Sequence, residues 1–226
     1  MSTKIIACEV MKEELLSSQG DLDMEFHFVE MALHEHPEKL HAVLQDLIDQ
    51  SPGYERIILT FGLCGGAINK LYAPGSVLTI PRVHDCVPLF LGSRALYDNL
   101  QKNNKGTFYM TCGNVNGNKS LMAEYERVCS KYGEDKARKI FATMFSNYNR
   151  ILFIRTGTPN EENDLKKSVK TAKLLNLQHQ TWQGRKDYIN KLIHGPWDGD
   201  DFVNTLPGEP VREDIFISQS AQEGIK

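Results

Sequence analysis

The residues of this 226-residue chain best suited to chemistry gather in two short turns, Gly62-Leu63-Cys64-Gly65-Gly66 and Pro81-Arg82-Val83-His84-Asp85-Cys86. An imidazole and a thiolate two residues apart can reach one metal ion, and a thiolate opening a following helix gains from the helix dipole. Soft donors of this kind favour Zn2+ or another thiophilic metal over Mg2+ or Ca2+. Cys64 offers a third ligand, and Cys112, Cys8, Glu9 or an exchangeable water or substrate a fourth. A closed set would be structural and an open one catalytic. The expected metal set is thus Cys64, His84 and Cys86, with Cys112 as its fourth member. Glycine admits positive φ and close approach of the backbone to a ligand, which makes Gly65 and Gly66 expected substrate contacts. Arg82 and Arg94 bracket the second turn and could clamp an anionic group.

The same residues permit two other readings. In one, Cys64 or Cys86 is a metal-free nucleophile with His84 as its base and the Gly65 and Gly66 N–H groups as an oxyanion hole. In the other, the turns are ordinary strand-to-helix connections holding small apolar core cysteines. Nucleotide motifs are absent: Gly62 to Ala67 has the wrong spacing for a dinucleotide fingerprint, and no Lys-Ser/Thr pair marks a phosphate loop. His34, His36 and His41 flank one helix start and read as a solvated face. His27, His179 and His194 lack neighbours that would complete a ligand set. Asp198, Asp200 and Asp201 miss the calcium-loop spacing and read as a polar loop, and Cys129 as helix core.

Apolar runs alternating with helix-period segments must position these turns, the pattern of βα units around a parallel sheet. Strands are predicted over Lys4–Cys8, Met24–Val29, Arg56–Phe61, Val77–Ile80, Thr107–Cys112, Arg150–Arg155 and Leu177–Trp182. Of these, Arg56–Phe61 is continuous enough to be a central strand buried on both faces. Helices are predicted over Pro37–Ile48, from Asp85 as N-cap through Leu100, over Lys119–Tyr132 and Glu134–Tyr148, from a Thr158–Glu161 capping box to Leu175, and over Arg185–Ile193. The expected fold is α/β, a mostly parallel sheet with helices on both faces built from Rossmann-like βα units. It is read as one domain over residues 1–217, with a subdivision offered near 149/150 and a flexible tail over 218–226. Four of five cysteines, Cys8, Cys64, Cys86 and Cys112, fall at predicted carboxyl ends of strands, where such sheets bind ligands.

Composition sets the outer bounds. A net charge of -3 with 24% charged residues offers no basic stripe for nucleic acid. No apolar run approaches the roughly 18 residues of a membrane span, and Met1-Ser2-Thr3-Lys4 leads straight into a strand. The expected location is cytoplasmic, where thiols stay reduced and serve as ligands, nucleophiles or core rather than disulfides.

The turns, followed by Leu91-Gly92-Ser93-Arg94, resemble a bacterial and archaeal family known as the domain of unknown function DUF1638. The resemblance covers most of the chain. It implies a setting near corrinoid-dependent methyltransferases and their small corrinoid proteins, in anaerobic one-carbon metabolism. Where the family has proline and glycine after the third strand, this chain has Cys112-Gly113. His84-x-Cys86 with a separate cysteine is also similar to the zinc motif of methyl-cobamide:thiol methyltransferases, although the distant cysteine here comes before the pair, so only local chemistry transfers. Together these imply a zinc protein of methyl or corrinoid metabolism. A non-catalytic accessory protein for a corrinoid protein or methyltransferase is a further alternative.

Overall fold

Branched and aliphatic side chains at consecutive positions favour extended backbone, and a strand covered on both faces can be apolar throughout. In the computed structural model, which describes residues 2–22, 24–116 and 119–216, each such run becomes a parallel strand. The chain passes through β1 (Thr3–Cys8), α1 (Lys12–Ser18), β2 (Glu25–Val29), α2 (Pro37–Asp49), β3 (Arg56–Leu59) and β4 (Val77–Pro81). It continues through α3 (Val87–Leu91), α4 (Arg94–Asn103), β5 (Thr107–Met110), α5 (Cys112–Val115), α6 (Leu121–Tyr132) and α7 (Glu134–Met144). The remainder is β6 (Arg150–Arg155), α8 (Glu161–Leu175), β7 (Gln178–Gln183), α9 (Asp187–His194) and β8 (Phe202–Thr205).

These elements form an α/β fold with two sheets. The first has the order β2-β1-β3-β4-β8 and is parallel except for β8, which pairs antiparallel to β4. The second is parallel throughout, in the order β5-β6-β7. The chain divides into two compact units, one of residues 1–86 with 189–226 and the other of residues 87–188. Position 149/150 falls inside the second. The segment 218–226 read as a tail lies outside the described residues.

In the first unit, Ile5, Ile6, Ile57, Ile58, Leu59, Leu78 and Ile80 are fully buried. Burying each such side chain contributes about 2 kcal/mol, and they come from the three interior strands, β1, β3 and β4. α2 opens on Pro37 and buries Leu40, Leu44 and Ile48, one stripe at four-residue spacing. In the second unit, Met110, Ile151, Phe153 and Ala172 pack as one cluster, and Tyr125, Ala137, Phe141 and Phe145 as another.

Several boundaries differ from the sequence reading for identifiable reasons. The helix predicted from Asp85 to Leu100 is two helices, because Gly92 sits at φ +78° and a side chain there would collide with Arg185. Ser93 then caps α4, its hydroxyl accepting from Leu96 N–H at 3.2 Å. β5 stops at Met110, and Cys112 opens α5, where the Asn114 carboxamide accepts from the N–H and hydroxyl of Thr111. No Thr158 cap forms on α8. Its Glu161 carboxylate instead accepts from Gly157 N–H at 2.7 Å and from Arg155 at 2.8 Å. β8 was not predicted, since only two of its four residues are apolar. No helix among the described residues is long and apolar enough to cross a membrane.

Candidate functional site

Three of the first unit's cysteines come from the carboxyl ends of three strands that lie side by side, β1, β3 and β4. Cys8 is the last residue of β1 and is buried. Cys64 lies in the turn after β3 and Cys86 in the turn after β4, both half-buried. Parallel pairing carries the three chain ends to one edge of the sheet, and the turns there decide where the sulfurs point.

The two turns are joined main chain to main chain. Leu63 N–H donates to Val83 O at 2.9 Å, and Cys64 N–H donates to His84 O at 3.0 Å. Gly62 makes this approach achievable: a Cβ there would stand 2.7 Å from Val83 O, 2.8 Å from Asp85 N and 2.8 Å from His84 C. The chain then takes three consecutive positive φ values, +45° at Cys64, +69° at Gly65 and +89° at Gly66. Glycine adopts these freely, whereas a cysteine there carries strain of order 1 kcal/mol that the surrounding contacts must hold. The amino end of α2 backs the turn, with Pro37 3.1 Å from where a Gly65 Cβ would be and His41 Nδ1 2.9 Å from Ala67 O.

The electrostatics follow from this crowding. Burial, then the neighbouring Cys8 and then Asp85, push the Cys64 thiol up to about 12, against the opposing hydrogen bond from the Gly62 backbone. Burial raises Cys86 well above the ordinary thiol value, with Cys8, Asp85 and Cys64 adding to it. Cys8 is raised to about 11, mainly by burial. All three are thus neutral thiols at neutral pH, and each disfavours ionisation of the others. A protonated thiol is a poor nucleophile, so the cluster does not have the character of an activated cysteine.

The other expected site residues are placed differently. The His84 side chain is exposed, and only its backbone oxygen is engaged with Cys64. Cys86 precedes α3 rather than opening it, and that helix has five residues. Gly65 is exposed, while Gly66 N–H already donates to Leu63 O at 2.8 Å, which removes one of the two donors of an oxyanion hole. Arg82 is committed to the segment after β8: its Nε donates to Ile215 O at 2.7 Å and its guanidinium stands 3.4 Å from Asp200. Cys112 and Arg94 belong to the second unit. There Cys112 is buried and its sulfur accepts from Thr158 Oγ1 at 3.0 Å, and Arg94 is half-buried at the start of α4. Glu9 is exposed and accepts from Met31 N–H at 2.8 Å.

Two histidines read as a solvated face prove to be part of the cysteine edge. His34 stacks on Phe61, which immediately precedes Gly62, with ring centroids 5.7 Å apart; burial lowers its pKa. His41 holds the turn after Cys64, as described above. The available signal was topological: a loop leaving β2, parallel to β1, must start at the same edge as Cys8.

Among the described residues, no three His, Cys, Asp or Glu side chains stand ready as a metal-ligand set. The three thiols of the first unit are electrostatic neighbours of one another. A family model described as a protein of unknown function, DUF1638, matches residues 28–193, a span that includes both turns. No curated protein and no solved structure matches the chain.

Proposed function

The chain belongs to the DUF1638 family, and from that premise we propose that it is a thiol-cluster protein taking up a thiophilic cation, zinc foremost, through Cys8, Cys64 and Cys86. The observation that carries this reading is the convergence of three mutually coupled thiols from the ends of three adjacent strands. Neutral thiols in such a setting are held off ionisation by burial and by one another. A bound divalent cation reverses both effects, because it supplies the positive charge that stabilises thiolates. His84, exposed on the adjoining turn, is the fourth donor of this proposal. Zinc bound there would act as a Lewis acid toward a thiol substrate.

The resemblance supplies the setting for this proposal: corrinoid-linked one-carbon metabolism in the cytoplasm, with a corrinoid protein or methyltransferase as partner. Raised thiol pKa values and the engaged Gly66 N–H weigh against the metal-free nucleophile.

The test is zinc uptake by metal-stripped protein, followed with a competing chromophoric chelator and by calorimetry in buffers of different ionisation enthalpy. We expect close to one zinc per chain and release of two to three protons at pH 7, as thiols above pH 7 must lose theirs. Cys64→Ser and Cys86→Ser should each weaken binding at least tenfold. Uptake below about a tenth of an ion per chain, or unchanged uptake by the Cys8/Cys64/Cys86 triple variant, would refute the proposal.

A further inference from the structure

The second unit contains a cavity of about 420 Å³ that the cysteine edge does not use. That volume falls within the roughly 300–1,000 Å³ typical of small-molecule sites. It adjoins Met110, the last residue of β5, so it opens where a parallel sheet ordinarily takes its ligands. Met110, Val115 and Met122 give it an apolar wall.

Lys167 is the polar group that distinguishes it. Its ammonium is held by Asn116 Oδ1 at 2.5 Å and Asp164 Oδ1 at 3.3 Å. An ammonium has three donors, so one N–H is left that no described residue takes up. Asn116 is itself fixed, its amide donating to Cys112 O at 3.0 Å, so the ammonium is anchored on one side although the Lys167 side chain is 44% exposed. Asp164 is 1% exposed, and its second oxygen has no hydrogen-bond partner among the described residues. Asp164 does not itself line the cavity, and its part is to hold the Lys167 ammonium from within the protein. Lys170 adds a second positive charge to the lining, and Glu126 sets a negative charge on α6.

We propose that this cavity binds a small organic monoanion, its carboxylate on Lys167 and Lys170 and its apolar body against Met110, Val115 and Met122. Glu126 gives the site a preference for one charge over two, since a second carboxylate on the ligand would meet a like charge. The inference is independent of the thiol cluster, which lies in the other unit.

The probes are 4-phenylbutyrate, the uncharged 4-phenylbutanol and the dianion adipate, titrated into the full chain and followed by amide ¹H–¹⁵N shifts. A ligand of this size, well seated, binds with a Kd of about 1 mM or tighter. We expect saturable shifts at Val115, Asn116, Ala123 and Thr171 with phenylbutyrate, and binding at least fivefold weaker for both other compounds. Lys167→Gln should weaken phenylbutyrate at least fivefold and leave phenylbutanol unchanged. Ala123→Phe, which puts bulk into the cavity and leaves Lys167 in the sequence, should abolish binding while the near-ultraviolet circular dichroism is retained. Absence of saturable shifts, shifts confined to other residues, or wild-type affinity in either folded variant would overturn the proposal.

Discussion

Gly62→Ala isolates the contact on which the cysteine edge depends. The added methyl would meet three main-chain atoms at 2.7–2.8 Å, where the opposite turn has no flexible side chain to give way. Relief requires moving the strand ends apart by more than half an ångström, against non-bonded contacts that are optimal near 3.5–4.0 Å. Overpacking of this kind costs about 1–3 kcal/mol, and lengthening the Leu63–Val83 and Cys64–His84 hydrogen bonds costs about 1 kcal/mol each. Stiffening of the unfolded chain by alanine returns roughly 0.4–1 kcal/mol, so the net loss is about 2–4.5 kcal/mol. Two glycines calibrate the measurement. Gly66, at φ +89° with open space around it, should lose only the roughly 1–2 kcal/mol of a left-handed alanine. Gly75, with neither constraint, should be neutral or slightly stabilised. The assay is urea unfolding read from Trp197, which lies in the same unit, in a Trp182→Phe background. With a slope of ~2 kcal/mol/M, Gly62→Ala should lower the midpoint by about 1–2 M. A midpoint within ~0.2 M of the parent, or an equal loss in Gly75→Ala, would refute the reasoning.

Three further expectations follow from the same structure. Because burial and neighbouring thiols push Cys64 up to about 12, only about one molecule in 10⁴ carries its thiolate at pH 8. Iodoacetamide labelling followed by mass spectrometry should therefore be slow there and rise nearly tenfold per pH unit to pH 11; labelling as fast as a peptide thiol would count against the cluster. Cys8 and Cys64 keep their protons to higher pH in the fold than in the unfolded chain, so the metal-free protein holds this stability below about pH 8.5 and loses it as pH rises toward 11–12. The urea midpoint should accordingly fall less between pH 8 and pH 10.5 in Cys64→Ser than in the wild type, and identical slopes would contradict the assignment. Ser93→Ala should cost about 1 kcal/mol by uncapping α4, against a few tenths for Ser93→Gly, as measured by thermal unfolding; equal losses would argue against the cap.

What the sequence announces and what it conceals divide along physical lines. β6 is readable to the residue, Arg150–Arg155, because four consecutive aliphatic and aromatic side chains sit fully inside the sheet. β8 is hidden because an antiparallel edge strand of four residues needs only a few buried positions. At the site, residue type and turn chemistry point to Cys64 and Cys86, while Cys8 and Cys112 look alike as strand-end cysteines, and only strand order, which no local pattern encodes, puts Cys8 beside the two turns. His84 and Cys86 would share a face if the strand continued, since alternate residues do. The chain bends after Pro81 instead, and the imidazole faces solvent. Cys112 stands at the end of an apolar run like the others, but its strand joins a different sheet.

The join between the two turns involves no side chain, only Gly62 and two main-chain hydrogen bonds. Its geometry therefore does not depend on the exposed side chain at His84, whereas Val83 belongs to the buried core. Under the proposed zinc reading such a frame behaves as a socket with an exchangeable contact: replacing His84 by Asp or Cys would change the hardness of the donor offered while the main-chain join to Cys64 is kept. A redesign of the site's ligand preference can begin at a single position, without the repacking that a core-embedded donor would demand.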